Sequence, residues 1–104
     1  MYKKLNPILL NQARLSIMAL LIHEMEADFS LIQRKTTVSA GNLSIQLNKL
    51  KKAGYLEITK QFKGNYPQTT CKISKKGMEA VTEFFESMES YKTIQKEIVI
   101  GPTV

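Results

Sequence analysis

The sequence has little of what metal sites and secreted proteins commonly use, since it contains one cysteine, one histidine and no tryptophan. A single thiol, Cys71, excludes an internal disulfide and is typical of a reducing compartment. His23 has no second histidine and no cysteine nearby, so no metal site is expected. No apolar run approaches the roughly 18 residues of a membrane span, and the N-terminus lacks a signal-peptide pattern. We therefore expect a cytoplasmic protein without a membrane partner.

The sequence also lacks the residue patterns of catalysis. It contains no nucleophile–base pair, no phosphate-binding loop and no cofactor fingerprint. The glutamates Glu79, Glu83, Glu86 and Glu89 could suggest paired carboxylates, but their spacing is simply that of the solvated side of a helix. We expect neither enzymatic activity nor a cofactor.

Acidic residues are scarce in the middle of the chain. Residues 31–76 carry ten lysines and arginines against Glu57 alone, a net charge of +9. Residues 1–30 are neutral overall, and residues 77–104 carry a net charge of −3. The concentration of positive charge in one segment indicates a polyanionic partner. A lysine-rich solubilising surface would give the same pattern.

The 104 residues form a single predicted domain, because no linker or repeat divides them. The pattern predicts a first helix from Asn11 to about Met25 and a short second helix capped by a Ser30–Gln33 capping box. Ser39 is predicted to cap the third helix, which ends at Ala53 with Gly54 as its left-handed residue.

From residue 55 the apolar period changes to two, which predicts a β-hairpin. Its turn is Gly64–Pro67, and its second strand is Gln68–Ile73, with Cys71 facing inward as an inert buried thiol. Ser74 or a neighbour opens a last helix that runs over about residues 75–98, and residues 99–104 form a loose tail. The fold class is mainly α with a small antiparallel β-hairpin (α+β), in the order α-α-α-β-β-α.

The third helix has two different faces. Leu43, Leu47 and Leu50 form a stripe for the core, whereas the opposite face is polar apart from Ile45 and carries no acid. A merely solvated helix would usually mix glutamates with its lysines. The residues predicted to contact double-stranded DNA lie on this face, at its cap and in the hairpin: Ser39, Asn42, Ser44, Ile45, Gln46, Lys49, Lys52, Lys60, Lys63, Asn65, Tyr66, Gln68 and Thr69.

These side chains suit different parts of a duplex. Asn42 and Gln46 can form paired hydrogen bonds to adenine, and Ile45 can touch a thymine methyl group. Lysines and serines are expected to contact phosphates, which set the register without discriminating sequence.

The first helix carries more apolar surface than one core-facing stripe needs, so part of it is predicted to face another subunit. In the last helix, apolar residues recur at near-heptad spacing until Gln95 interrupts them before Ile98. The predicted interface residues are Leu9, Leu10, Ile17, Leu21, Val81, Phe84, Phe85, Met88 and Tyr91.

The segment Gly41–Leu56 resembles the "GNLS-x-x-L-x-x-L-x-x-AGY" segment of small winged-helix regulators related to the MarR and ArsR types. The segments Lys60–Gly64, Thr69-Thr70 and Ile73–Gly77 are similar to that family's wing and to the "T-x-x-G" start of its final helix. The resemblance implies a winged helix-turn-helix and a dimeric transcription regulator, a repressor in our interpretation. It further implies that the third helix enters the major groove and that the terminal helices form the dimer.

The sequence departs from this family at two places. Asn65, Tyr66 and Gln68 stand where the wing usually carries arginines, and Thr36-Thr37 stand where leucine and glycine are typical. The neutral wing and Ile45 leave open a different function, a winged helix that serves as a protein-interaction or assembly module. A ligand-responsive switch is a third alternative, although no residue indicates which small-molecule effector it would bind.

Overall fold

The computed structural model describes the backbone of residues 2–100 and the side chains of residues 2–94. Four helices lie within this part: α1 (Gln12–Glu24), α2 (Phe29–Thr36), α3 (Ala40–Lys52) and α4 (Lys75–Ile100). The last helix extends to Ile100, two residues past its predicted end at about Ile98. Residues 101–104 of the predicted tail lie outside the described backbone. Gln95 and Ile98, at the predicted seam, lie outside the described side chains.

The described chain also forms a three-stranded antiparallel sheet, from β1 (Glu26–Asp28), β2 (Leu56–Lys63) and β3 (Tyr66–Ile73) in the order β1-β3-β2. Lys63 pairs with Tyr66, so the hairpin turn is the two-residue Gly64-Asn65 rather than the predicted four-residue turn. Gly64 has φ +66°, a left-handed conformation that two-residue hairpin turns require. β3 consequently begins two residues earlier than predicted.

β1 was not predicted. Met25 ends α1 with φ 71° and turns the chain, after which Ala27 pairs with Cys71 of β3. This extra strand changes how α2 begins, because Asp28 at the end of β1 has extended backbone and caps the helix. Its Oδ1 accepts a hydrogen bond from Leu31 N at 2.8 Å. The predicted Ser30–Gln33 capping box is therefore wrong, since Ser30 already lies in the first turn of α2.

The third helix begins and ends as predicted. Ser39 caps α3 by accepting from Asn42 N, and Gly54 follows the helix with φ +80°. The turn between α2 and α3 contains Thr37 at φ 56°, a left-handed conformation that glycine would adopt without strain. Because threonine stands here instead of the family's typical glycine, a residue with a side chain adopts the left-handed conformation at this turn.

One apolar core joins all four helices to the sheet. It corrects the predicted dimer interface, because five of those residues are fully or almost fully buried within the single chain: Leu9, Ile17, Leu21, Val81 and Phe84. Near-heptad spacing predicts an apolar stripe whether the helix packs within its own chain or against a second chain. Here the stripe packs mainly into the chain's own core.

The start of α4 is fixed to the hairpin by close backbone contacts. Ser74 Oγ accepts from Gly77 N at 2.9 Å and donates to the carbonyl of Gly54 at 2.6 Å, so the predicted start of this helix is confirmed. Gly77 packs so closely on Tyr55 that an added Cβ would overlap the Tyr55 carbonyl oxygen. The absence of a side chain at residue 77 is therefore what lets α4 lie against the hairpin.

Gly77→Ala should lower the free energy of unfolding by about 1–3 kcal/mol, because the backbone oxygen facing the new methyl group has no side-chain freedom to move away. Gly41→Ala is the matched control, since nothing lies within 4 Å of a Cβ at that helical glycine. It should raise stability by about 0.5 kcal/mol. Urea unfolding measures both, and equal effects from the two substitutions would contradict the close approach.

Candidate nucleic-acid interface

The core fixes which face of α3 is exposed. Leu43, Leu47 and Leu50 are buried, and Ile45 on the opposite side is 54% exposed. Seven further polar residues of the helix and its cap are exposed, and five of them were predicted contacts: Ser39, Asn42, Ser44, Asn48, Lys49, Lys51 and Lys52. Asn48 was missed, although its position near the centre of the outer face follows from the same helical period.

Gln46 does not belong to this exposed face, so its predicted exposure is wrong. It is 7% exposed, and its Oε1 accepts a hydrogen bond from Arg14 Nη1 of α1 at 2.7 Å. Its Nε2 donates to Asn42 Oδ1 at 2.9 Å. Gln46 lies at the edge between the two faces, and a partner 32 positions earlier in the chain draws it inward.

The hairpin continues the surface on one side of α3. Lys60 and Thr69 are cross-strand partners, and they line a groove with Ser44, Asn48 and Lys51 of α3. Lys51 is exposed and was also missed by the sequence interpretation. The groove brings cationic and amide side chains from two elements to one side of the molecule.

The tip of the hairpin is more apolar than charged. Lys63 pairs with Tyr66, and both line a recess beside the start of α2. Phe62 and Tyr66 are 75% and 79% exposed, and Asn65 is also exposed. Gln68 donates to Asp28 Oδ2 at 3.3 Å, so part of its hydrogen-bonding capacity is used within the fold.

Charge is segregated between two parts of the structure. Five of the six exposed lysines of α3 and the hairpin lie on the helix or in the tip half of the hairpin, namely Lys49, Lys51, Lys52, Lys60 and Lys63. The only acid on either element is Glu57, which pairs with Lys72 at the far end of β2 from the tip. Glu79, Glu83, Glu86 and Glu89 are exposed on a separate helix, α4, so α3 and the tip half of the hairpin carry positive charge with no acid among them.

Cys71 is fully buried in β3, as predicted. Burial raises the pKa of its thiol from 9.0 to about 11, because the apolar surroundings disfavour the thiolate. Within the described residues, no group of three or more histidine, cysteine, aspartate or glutamate side chains could hold a metal ion. None of the helices described is both long and apolar enough to cross a membrane.

Three helices with a short strand between the first two, then a hairpin and a fourth helix, define a winged helix-turn-helix protein, with the exposed cationic third helix beside the hairpin. A family model for the winged helix DNA-binding domain matches residues 13–92. The chain belongs to the winged helix DNA-binding domain family. No curated protein sequence matches it significantly.

Solved structures agree with this family. A transcriptional regulator homologue from Pyrococcus horikoshii OT3 is 31% identical over 85% of this chain and 87% of that one, with a TM-score of 0.79. NadR in complex with 4-hydroxyphenylacetate is 25% identical over 91% of this chain and 69% of that one, with a TM-score of 0.69. Reduced AbfR bound to DNA shares the fold at 18% identity, over 83% of this chain and 66% of that one, with a TM-score of 0.68. The predicted resemblance to MarR-type winged-helix regulators is confirmed.

A thiol reagent at pH 8 should leave Cys71 unmodified in the folded protein. The upward shift of its pKa from 9.0 to about 11 reduces the thiolate fraction about a hundredfold, and burial blocks access as well. The same reagent should modify the thiol at an ordinary rate in denaturant. Rapid modification under native conditions would show instead that the thiol is exposed and reactive.

Proposed function

We propose that this chain, a winged-helix DNA-binding transcriptional regulator, acts as a homodimeric repressor that occupies a specific duplex site. The observation that carries this proposal is the exposed, acid-free face of α3, which continues into the lysine-lined groove beside the hairpin. No catalytic role is included, because the family is one of DNA-binding domains.

In the proposed complex α3 lies in the major groove, whose width of about 12 Å admits a helix. Ile45 at the centre of the outer face contacts a thymine methyl group, while Asn42 and Asn48 contact base edges on either side of it. Ser39, at the start of the helix, lies where backbone amides and the helix dipole favour a phosphate.

Lysines supply most of the proposed affinity. By the helical period, Lys49 lies on the Asn42 side of the outer face and Lys52 lies near its centre, whereas Lys51 and Lys60 lie along the groove on the other side. Such an arrangement suits phosphates on both rims of the major groove. Phosphate contacts of this kind fix the register of the helix but do not distinguish sequences.

The proposed dimer uses the apolar side chains that the core leaves exposed. Leu10, Phe85 and Met88 are 56%, 46% and 38% exposed, and all three belong to the originally predicted interface. Tyr91 is half-buried, and its hydroxyl donates to the carbonyl of Lys3 at 2.9 Å, so the N-terminal segment already covers part of it. In the proposed dimer these three exposed side chains are buried against a second copy of the chain. The two α3 helices of the dimer then bind one duplex, about one helical turn apart.

One observation favours a second candidate function. The wing tip carries two exposed aromatic rings, Phe62 and Tyr66, where lysine or arginine would suit a phosphate backbone better. A protein-interaction module would use these rings for contact with another protein. The two functions differ in how binding to DNA responds to salt.

Lys49→Ala and Lys60→Ala should each weaken binding to random-sequence duplex and make log K less steeply dependent on log salt, by about 0.9 per lost phosphate contact. Titration of labelled duplex at several salt concentrations measures both effects. Lys72→Ala is the matched control, an exposed lysine beside Glu26 and Glu57 at the far end of β2 and β3 from the tip, and it should leave both quantities unchanged.

Binding that is insensitive to salt, or equally weakened by all three lysine substitutions, would favour the interaction module over the proposed regulator.

Phe85→Asp should shift the protein toward monomer in sedimentation equilibrium, because it puts a charge into the proposed apolar interface. Phe62→Asp is the control, since it removes a still more exposed aromatic ring, 75% against 46% for Phe85, from the wing tip. It should leave self-association unchanged. A dimer that survives Phe85→Asp, or a wild-type protein that is monomeric at micromolar concentration, would exclude this interface.

A further inference from the structure

A chain of three side-chain hydrogen bonds connects the N-terminal segment to the proposed DNA-contacting face. Arg14 Nε donates to the carbonyl of Ile8 at 2.6 Å, and Arg14 Nη1 donates to Gln46 Oε1 at 2.7 Å. Gln46 Nε2 then donates to Asn42 Oδ1 at 2.9 Å. Asn42 itself is exposed, so this series of hydrogen bonds begins below the surface and ends on it.

The donors and acceptors in this series of hydrogen bonds are fixed by the chemistry of arginine. Arginine has only hydrogen-bond donors, so the group that Gln46 turns toward Arg14 must be its oxygen. The amide nitrogen of Gln46 then necessarily faces Asn42, which must turn its own oxygen inward. Turning Gln46 over would set two donors against each other in a buried place, and every buried side-chain polar atom of the described residues has a partner.

This orientation leaves the NH₂ group of Asn42 facing away from the core. No hydrogen bond within the described residues uses that nitrogen. Bidentate pairing with adenine requires the oxygen and the nitrogen of an asparagine to face the base together. Because the oxygen of Asn42 is turned toward Gln46, the NH₂ group is the part of its amide that faces outward.

We propose that Arg14 and Gln46 determine base preference at the Asn42 contact, by holding Asn42 so that its NH₂ group favours a keto base. Guanine O6 and thymine O4 are acceptors in the major groove, whereas adenine N6 and cytosine N4 are donors at the equivalent positions. Gln46 is then a positioning residue that touches no base. This inference rests on the proposed function, because it requires Asn42 to lie in the groove.

Gln46→Glu tests the inference with almost no change of shape. The carboxylate keeps its bond to Arg14, now strengthened by charge, but its second oxygen can only accept. Asn42 must then turn its NH₂ group toward residue 46 and present its oxygen outward. The preference should change from a keto base to adenine or cytosine at that single position, by about fivefold to tenfold, with other positions unchanged.

The experiment selects bound duplexes from a random pool with the wild-type protein and three variants. Asn42→Ala identifies the contacted position, because preference there alone should disappear. Gln46→Met removes both hydrogen bonds, so Asn42 becomes free to turn and the preference should relax without reversing. Thermal unfolding confirms that each variant is folded, and the outcome for Gln46→Met keeps the inference testable if Gln46→Glu unfolds.

A wild-type protein that selects no sequence would refute the proposed function itself. If the wild type selects a site but Gln46→Glu keeps the same base at the Asn42 position, the inference is wrong and the proposed function stands. Equal weakening at all positions in both Gln46 variants would likewise show that Gln46 serves only to support the fold.

Discussion

Burial of the leucine stripe of α3 is the interaction on which the rest of this structure depends. Leu43, Leu47 and Leu50 are in the core, and burying each such side chain contributes about 1.5–3 kcal/mol. Three of them together are comparable with the whole stability of a domain, about 5–15 kcal/mol. The helix therefore cannot rotate about its axis without exposing a leucine, and its outer face is fixed before any DNA is present.

What the sequence predicts well in this protein is local. The Ser39 cap, the left-handed Gly54 and the leucine stripe of α3 each depend on neighbours within a few residues, so their patterns are sufficient. What it misses depends on distant partners. β1 has three residues and no measurable period, and it is recognisable only because β3 pairs with it. Once β1 exists, Asp28 displaces Ser30 as the cap of α2.

The candidate site shows the same division. Helical period correctly placed Asn42, Ile45, Lys49 and Lys52 outside, but it could not show that Arg14 holds Gln46 inward. The set of residues predicted for the dimer interface is corrected for a related reason. A near-heptad stripe does not distinguish residues that pack within the chain from residues that pack between chains, and only three of the nine predicted residues carry large exposed apolar surface. The hairpin shows a third limit of the sequence prediction. Its position along the chain indicates a wing, but its tip exposes aromatic rings instead of the arginines typical of a wing.

The most direct test of the central claim is a titration of the isotope-labelled protein with a duplex of about two helical turns, followed by NMR. If α3 and the groove beside it contact DNA, the signals of Asn42, Ile45, Asn48 and Lys60 should shift together and should return as salt is added. The signals of Glu83 and Glu86 on the acidic helix α4 should stay in place. Shifts confined to α4, or to the wing tip with α3 unchanged, would contradict DNA recognition through the third helix.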